Sequence, residues 1–202
     1  MLLRNDGRDA SGVLRFTDVA MAAGADDIKD GRGMATADFD NDGDLDIVIN
    51  SNPGDSGRAE LSRATLLRNN VGAKRNWISV ELRGGAGTHD GDAPGKWSNR
   101  DAVGAQVTVE SGGERQLRLV TAGSGFASQH SSRLYFGLGE RDHADALVVR
   151  WPSGRVERFE KVGGQPIGAR RLVRVNEGEG ADALPLPARQ PAPAGRQFTA
   201  AK

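Results

Sequence analysis

Short apolar runs broken by glycine set the pattern of this chain, and no long helical period interrupts them. Ile78, Val80 and Leu82 alternate with Ser79 and Glu81, the period-two signature of a half-buried strand. The same texture predicts strands at Trp77 to Leu82, Gln106 to Glu110, Gln116 to Thr121, Leu134 to Phe136, Ala146 to Trp151, Val156 to Phe159 and Leu172 to Val175. Ser111-Gly112-Gly113-Glu114 and Trp151-Pro152-Ser153-Gly154-Arg155 carry the glycine and proline that tight hairpin turns require. Upstream, the small residues Gly33 to Ala37 read as extended. The β-branched run Leu45-Asp46-Ile47-Val48-Ile49-Asn50, bounded by Ser51, Asn52, Pro53 and Gly54, reads as a buried strand. From Gly178 onward alanine, proline, glycine and polar residues dominate, a composition that cannot bury a core. The expected fold class is all-β. Residues 1–76 form one propeller-blade-like segment, residues 77–177 an antiparallel sandwich or jelly-roll-like domain, and residues 178–202 a disordered tail.

Between the two upstream runs lies Asp38-Phe39-Asp40-Asn41-Asp42-Gly43-Asp44-Leu45-Asp46. Carboxylates at alternating positions followed by a glycine are what a calcium loop needs: hard oxygen ligands, then a sharp turn. Without a cation these acids repel one another, and a divalent ion removes that penalty. Ile49 stands where an EF-hand places its bidentate glutamate, and the flanks are extended, so this is a strand–loop–strand hairpin. The expected ligands for Ca2+ are the side chains of Asp38, Asp40, Asp42 and Asp46, with the carbonyl of Asp44 and water completing the shell.

Leu2-Leu3-Arg4-Asn5 recurs as Leu66-Leu67-Arg68-Asn69, an offset of 64 residues, and both copies precede an Asn/Asp/Gly turn. A period of this size with several short strands per unit suits one β-propeller blade.

Composition removes several function classes. Lys+Arg and Asp+Glu both number 27, so no net charge steers the chain toward nucleic acid or an anionic membrane. With no cysteine there is no disulfide, thiol catalysis or cysteine metal site. No apolar run is long enough for a transmembrane helix. No signal peptide is visible: Met1 is followed at once by Leu2-Leu3-Arg4-Asn5-Asp6, which reads like the interior of a folded repeat.

Together these segments resemble a known family arrangement. Leu-Leu-Arg-Asn-Asp-Gly, Arg-Phe-Thr-Asp-Val and the acidic run are similar to the end of an FG-GAP/VCBS-type propeller. Ser98 to Ala105, Gly123 to Gln129, Leu134 to Gly139 and Trp151 to Gly154 are similar to the ASPIC/UnbV domain of cartilage acidic protein-like sequences. The resemblance implies a non-enzymatic, calcium-binding adhesion or scaffold protein, placed extracellularly, in the periplasm or on the cell surface. Its implied calcium ligands are Asp38, Asp40, Asp42 and Asp46, with Asp44 through its carbonyl. It implies a protein or glycan partner, or the remaining blades of a longer or neighbouring chain. Two departures stand out. Roughly one blade is present where the family has many, and Tyr135 stands where histidine is more usual.

Other constellations read more plainly. Asn99, Arg100 and Asp101 offer either the polar lining of a ligand cleft or, the plainer reading, an internal Arg–Asp pair and an Asn turn that pin the loop from about Gly84 to Trp97. Ser124 in Gly123-Ser124-Gly125 lacks the first glycine of a nucleophile elbow, because Ala122 takes that place. His89, His130 and His143 have no helical zinc spacing and read as surface residues. Trp151 reads as core, and Trp97, in a polar loop, is the one tryptophan left open to stack on a sugar. No catalytic residue is assigned. Two alternative functions are a carbohydrate-active hydrolase using paired carboxylates from Asp90, Asp92 and Asp101, and a structural cap over a propeller's last blade.

Overall fold

The computed structural model describes residues 1–26, 29–52, 64–87, 89, 92, 95–188 and 196–198. In chain order the elements are β1 (Leu3–Arg8), β2 (Leu14–Asp18), α1 (Ala20–Ala23), β3 (Asp30–Ala37), β4 (Asp46–Asn52), β5 (Thr65–Asn69), β6 (Asn76–Arg83), β7 (Gln106–Ser111), β8 (Glu114–Leu119), β9 (Leu134–Gly139), β10 (His143–Ala144), β11 (Ala146–Arg150), β12 (Val156–Phe159), β13 (Lys161–Val162), β14 (Gln165–Gly168), β15 (Arg171–Asn176), β16 (Gly180–Leu184) and β17 (Arg196–Phe198). The protein is nearly all β, as its period-two texture predicts.

The main core lies between two four-stranded sheets, ordered β16-β15-β6-β9 and β12-β11-β7-β8. Pairing is antiparallel except between β6 and β15, which run parallel in the register Ile78↔Arg171 to Arg83↔Asn176. Ile78, Val80, Phe136, Val173 and Val175 from the first sheet meet Val107, Val109, Leu147 and Val149 from the second, with Trp151 closing one side. Each is almost fully buried, and burial of one such side chain stabilises by roughly 1.5–3 kcal/mol.

Strand β8 reverses the usual arrangement. Its cross-strand partners put Arg118 opposite Val107 and Gln116 opposite Val109, so these polar side chains share the inward face. Gln116 donates to the Gly137 carbonyl at 2.6 Å, and the Arg118 guanidinium lies 5.5 Å from the Phe136 ring centroid. Leu117 and Leu119 consequently face outward. Inward-pointing polar groups on an edge strand discourage pairing with another chain.

Strands β3, β4 and β5 with the late strand β17 form a third four-stranded sheet, while β1 and β2 pair as a separate hairpin. Leu67, Ala23 and Ala25 make a small core against Leu2, Ile47 and Ile49. The outer side of β3 meets the glycine-rich loop of the sandwich. Thr36 N–H donates to His130 Nδ1 at 3.1 Å, and Ser131 N–H donates to the Thr36 carbonyl at 2.9 Å.

The sequence misplaces the start of the tail. Gly180–Leu184 pairs antiparallel with β15, Val175↔Ala181 and Leu172↔Leu184, as an outer strand of the sandwich, and Arg196–Phe198 pairs parallel with β5. An edge strand needs few apolar residues, because one of its sides and most of its length face water, so composition alone conceals it. Residues 189–195 and 199–202 of the expected tail, and most of the expected polar loop after Asn52, lie outside the described residues.

Candidate functional site

Strands β3 and β4 hold the acidic loop between antiparallel partners, Ala37↔Asp46 being the last pair before it opens. Two residues in the loop take left-handed backbone, Asn41 at φ 57° and Gly43 at φ 100°. Asparagine tolerates this region, and glycine enters it freely. At Gly43 a side chain is excluded twice over, since an added Cβ would lie 1.9 Å from Cε2 of the Trp77 ring.

The turn brings one carboxylate oxygen from each of Asp38, Asp40 and Asp42 within 4.8 Å of one another. Asp38 accepts the Asp42 N–H at 3.1 Å on Oδ1, and on Oδ2 the Gly43 N–H at 3.0 Å and the Tyr135 hydroxyl at 3.2 Å. Asp42 Oδ1 accepts the Asp44 N–H at 3.2 Å. Burial is the largest influence on Asp38 and pushes its carboxyl above the ordinary value, against the pull of these hydrogen bonds. Burial also raises Asp46, helped by the charges of Asp40 and Asp42. Three hard oxygen donors in a part-buried turn match the donor chemistry of a divalent cation such as Ca2+.

The structure does not bring Asp46 into the trio. Its Oδ2 accepts the Phe39 N–H at 3.0 Å and its Oδ1 the Asn69 N–H at 2.8 Å, so it staples the base of the loop to β5. The Asp44 side chain is buried beneath the turn, with its Cβ against Gly72.

Two contributors escape a reading of the acidic run alone. Arg68 Nη2 lies 2.7 Å from Asp40 Oδ2 and 3.8 Å from Asp42 Oδ2. Tyr135, on β9 of the sandwich, reaches Asp38. The signal for Arg68 was the repeated Leu-Leu-Arg-Asn, which marks a strand but not what its arginine faces. For Tyr135 only its oddity within the resemblance singled it out.

Elsewhere, a buried carboxylate ties the sandwich loops together. Glu177 accepts the Gly85 and Ser98 N–H groups, each at 2.8 Å, the Ser98 hydroxyl at 3.0 Å, and the Ser153 hydroxyl. Burial alone would raise its pKa, but these hydrogen bonds together hold it below the ordinary 4.5. Asn99 closes its turn as the sequence implies, exchanging side-chain hydrogen bonds with the Val103 backbone at 2.9 Å, while Arg100 and Asp101 pair on the exterior.

Trp97 is not open to a sugar. His89 stacks on it with ring centroids 4.1 Å apart, Arg155 lies 4.7 Å from its centroid, and Gly85 and Gly178 press against the ring. His89 and His130 are half-buried and hold contacts, so only His143 is the exposed histidine expected. Trp151 is core, its indole N–H donating to Glu157. Ser124 accepts the His130 N–H at 2.9 Å, a loop-bracing role.

Of the hydrolase candidates, Asp90 lies outside the described residues. Asp92 takes the Trp97 indole N–H and lies 3.1 Å from Lys96, which lower its pKa, the reverse of what a general acid needs. Asp101 is paired with Arg100.

Comparison with known proteins agrees with this geography. The chain is 35% identical over 132 residues to cartilage acidic protein 1 of Xenopus tropicalis, 34% over 129 residues to that of Mus musculus and 33% over 129 residues to that of Homo sapiens. These alignments cover 62–63% of this chain and 16–17% of the relatives, so the chain spans only a small part of their length. Residues 95–181 match the family described as ASPIC and UnbV, so the similarity falls on the sandwich that carries Glu177, Tyr135 and the Asn99 turn.

Proposed function

We propose that this chain is a non-enzymatic, calcium-binding interaction module that works outside the cell, with the ion stiffening the β3–β4 hairpin and the sandwich offering the binding surface. The observation that carries the reading is the convergence of Asp38, Asp40 and Asp42 within 4.8 Å. When bound, the ion supplies charge neutralisation and a fixed turn, not chemistry on a substrate. Asp46 holds the loop base and Arg68 compensates Asp40, so the chain's own groups shape the turn around the acids. Tyr135 and Trp77 touch the same loop from the sandwich, which joins ion occupancy to the placement of the two sheets. The similarity to cartilage acidic protein 1 supports an extracellular setting, where calcium at about 10⁻³ M fills sites with Kd near 10⁻⁴–10⁻³ M.

Calorimetric titration of calcium into the intact chain and into the Asp40→Ala/Asp42→Ala double variant tests this. Saturable heat from the first and none from the second is the expected outcome. Equal heats from both would end the calcium reading.

A further inference from the structure

We propose that the cleft at the far end of β6 is a binding site for short acidic carbohydrates, chains of uronate-type sugars. The inference deepens the interaction role proposed above and rests on it only for the sandwich, not for the acidic hairpin.

The cleft encloses about 630 Å³, within the range of small-ligand sites. Its floor is apolar, from Leu82, Val103 and Val120, and suits the C–H face of a sugar ring. Its rim carries Arg83, Arg100, Asp101, Thr121, Gln129 and Ser132, a dense set of charged, hydroxyl and amide groups with no aromatic residue among them.

The loop that presents Arg100 and Asp101 is rigid without their help. Asn99 ties it to Val103, Ala102 N–H donates to the Asn99 carbonyl at 2.8 Å, and Gly84 N–H donates to the Arg100 carbonyl at 3.0 Å. Ala102, beside Arg100 and Asp101, is fully buried with φ 54°. Left-handed alanines are held only where the surroundings over-determine them, and such strain concentrates at functional sites. The fold therefore fixes a backbone whose two charged side chains, 75% and 67% exposed, have no packing duty.

The charge pattern selects the ligand. Glu81 is already paired with Arg174 at 3.1 Å. Arg83 makes no ion pair among the described residues, and the exposed Arg100–Asp101 pair is weak enough to exchange for a ligand carboxylate. Two guanidiniums then meet sugar carboxylates, while Asp101, Thr121, Gln129 and Ser132 meet hydroxyls. A peptide adding as a strand is disfavoured where β6 and Val120 border the cleft, because their backbone is already paired. β6 is paired on both sides, and Val120 exchanges hydrogen bonds with Gly104 and Ala105.

The test is calorimetry on the full chain in calcium-free buffer with four probes: tetragalacturonate, tetramannuronate, neutral maltotetraose and tetraglutamate. Saturable binding of at least one uronate is expected, weakened tenfold or more in both Arg83→Ala and Arg100→Ala. Melting curves of these exposed-site variants should overlay the parent's, which excludes misfolding as the cause. Silence from both uronates, equal affinity in the variants, or equal affinity for maltotetraose or tetraglutamate would each overturn the proposal. Because calcium is absent, uronate binding survives a failed calcium titration, and the converse also holds.

Discussion

Removing the Glu177 side chain should weaken the sandwich more than its single position suggests. The carboxylate is 1% exposed and accepts four hydrogen bonds, from two backbone N–H groups and two hydroxyls. Glu177→Ala leaves those donors facing a void. A charge-assisted hydrogen bond contributes about 1.5–3 kcal/mol, but the four share one acceptor group and do not add. Each buried donor left unsatisfied costs about 1–3 kcal/mol, so a total of about 3–5 kcal/mol is expected for the group. With a urea slope of about 2 kcal/mol/M, the unfolding midpoint should fall by about 2 M. The assay is urea denaturation followed by the fluorescence of Trp77, Trp97 and Trp151. Glu177→Gln, which keeps the shape and one carbonyl acceptor, should lose less. The pH dependence supplies a second reading. The folded pKa of Glu177 lies below the unfolded value, so its ionisation stabilises the fold above about pH 4.5, and that contribution disappears as pH falls through the folded pKa. The parent should therefore lose stability on acidification below about pH 4.5 more steeply than Glu177→Gln. A cost under about 1 kcal/mol for Glu177→Ala, or parallel acid profiles, would refute the reasoning.

Three further outcomes follow from the acidic hairpin. Arg68→Ala strips the guanidinium from Asp40, which is 2% exposed, and should cost about 2–4 kcal/mol without calcium but clearly less with it, measured by thermal melting in chelator and in calcium; equal losses in both would show that the ion does not substitute for the arginine. Gly43→Ala places a methyl into the Trp77 ring on left-handed backbone, so about 2–4 kcal/mol of stability and at least tenfold in calcium affinity should be lost, read by denaturation and calorimetry. Chelator alone should lower the melting temperature of the parent and expose the 38–46 loop to protease, while the Asp40→Ala/Asp42→Ala variant should melt identically with and without calcium.

The strands of the sandwich were legible from alternation because a half-buried strand imposes its period on the residues themselves: Val156–Phe159 is found as read, and the others lie within a few residues. The acidic turn was legible for a related reason, since the spacing that gathers Asp38, Asp40 and Asp42 is local and the three are close in sequence. Gly180–Leu184 was not, because its place in the sheet is decided by the parallel β6–β15 pair beside it and not by its own composition.

What the sequence determined by itself is whatever depends on neighbours along the chain: the strand texture, the turns, the trio Asp38, Asp40 and Asp42, and the Asn99 turn. Tertiary structure alone decided which distant groups meet them. It set Asp46 to accept the Asn69 N–H, placed Arg68 against Asp40, brought Tyr135 to Asp38 across 97 residues, and packed His89 and Arg155 against the Trp97 ring. The physical reason is that a side chain's partners across a fold are fixed by sheet order and register, which no local pattern encodes.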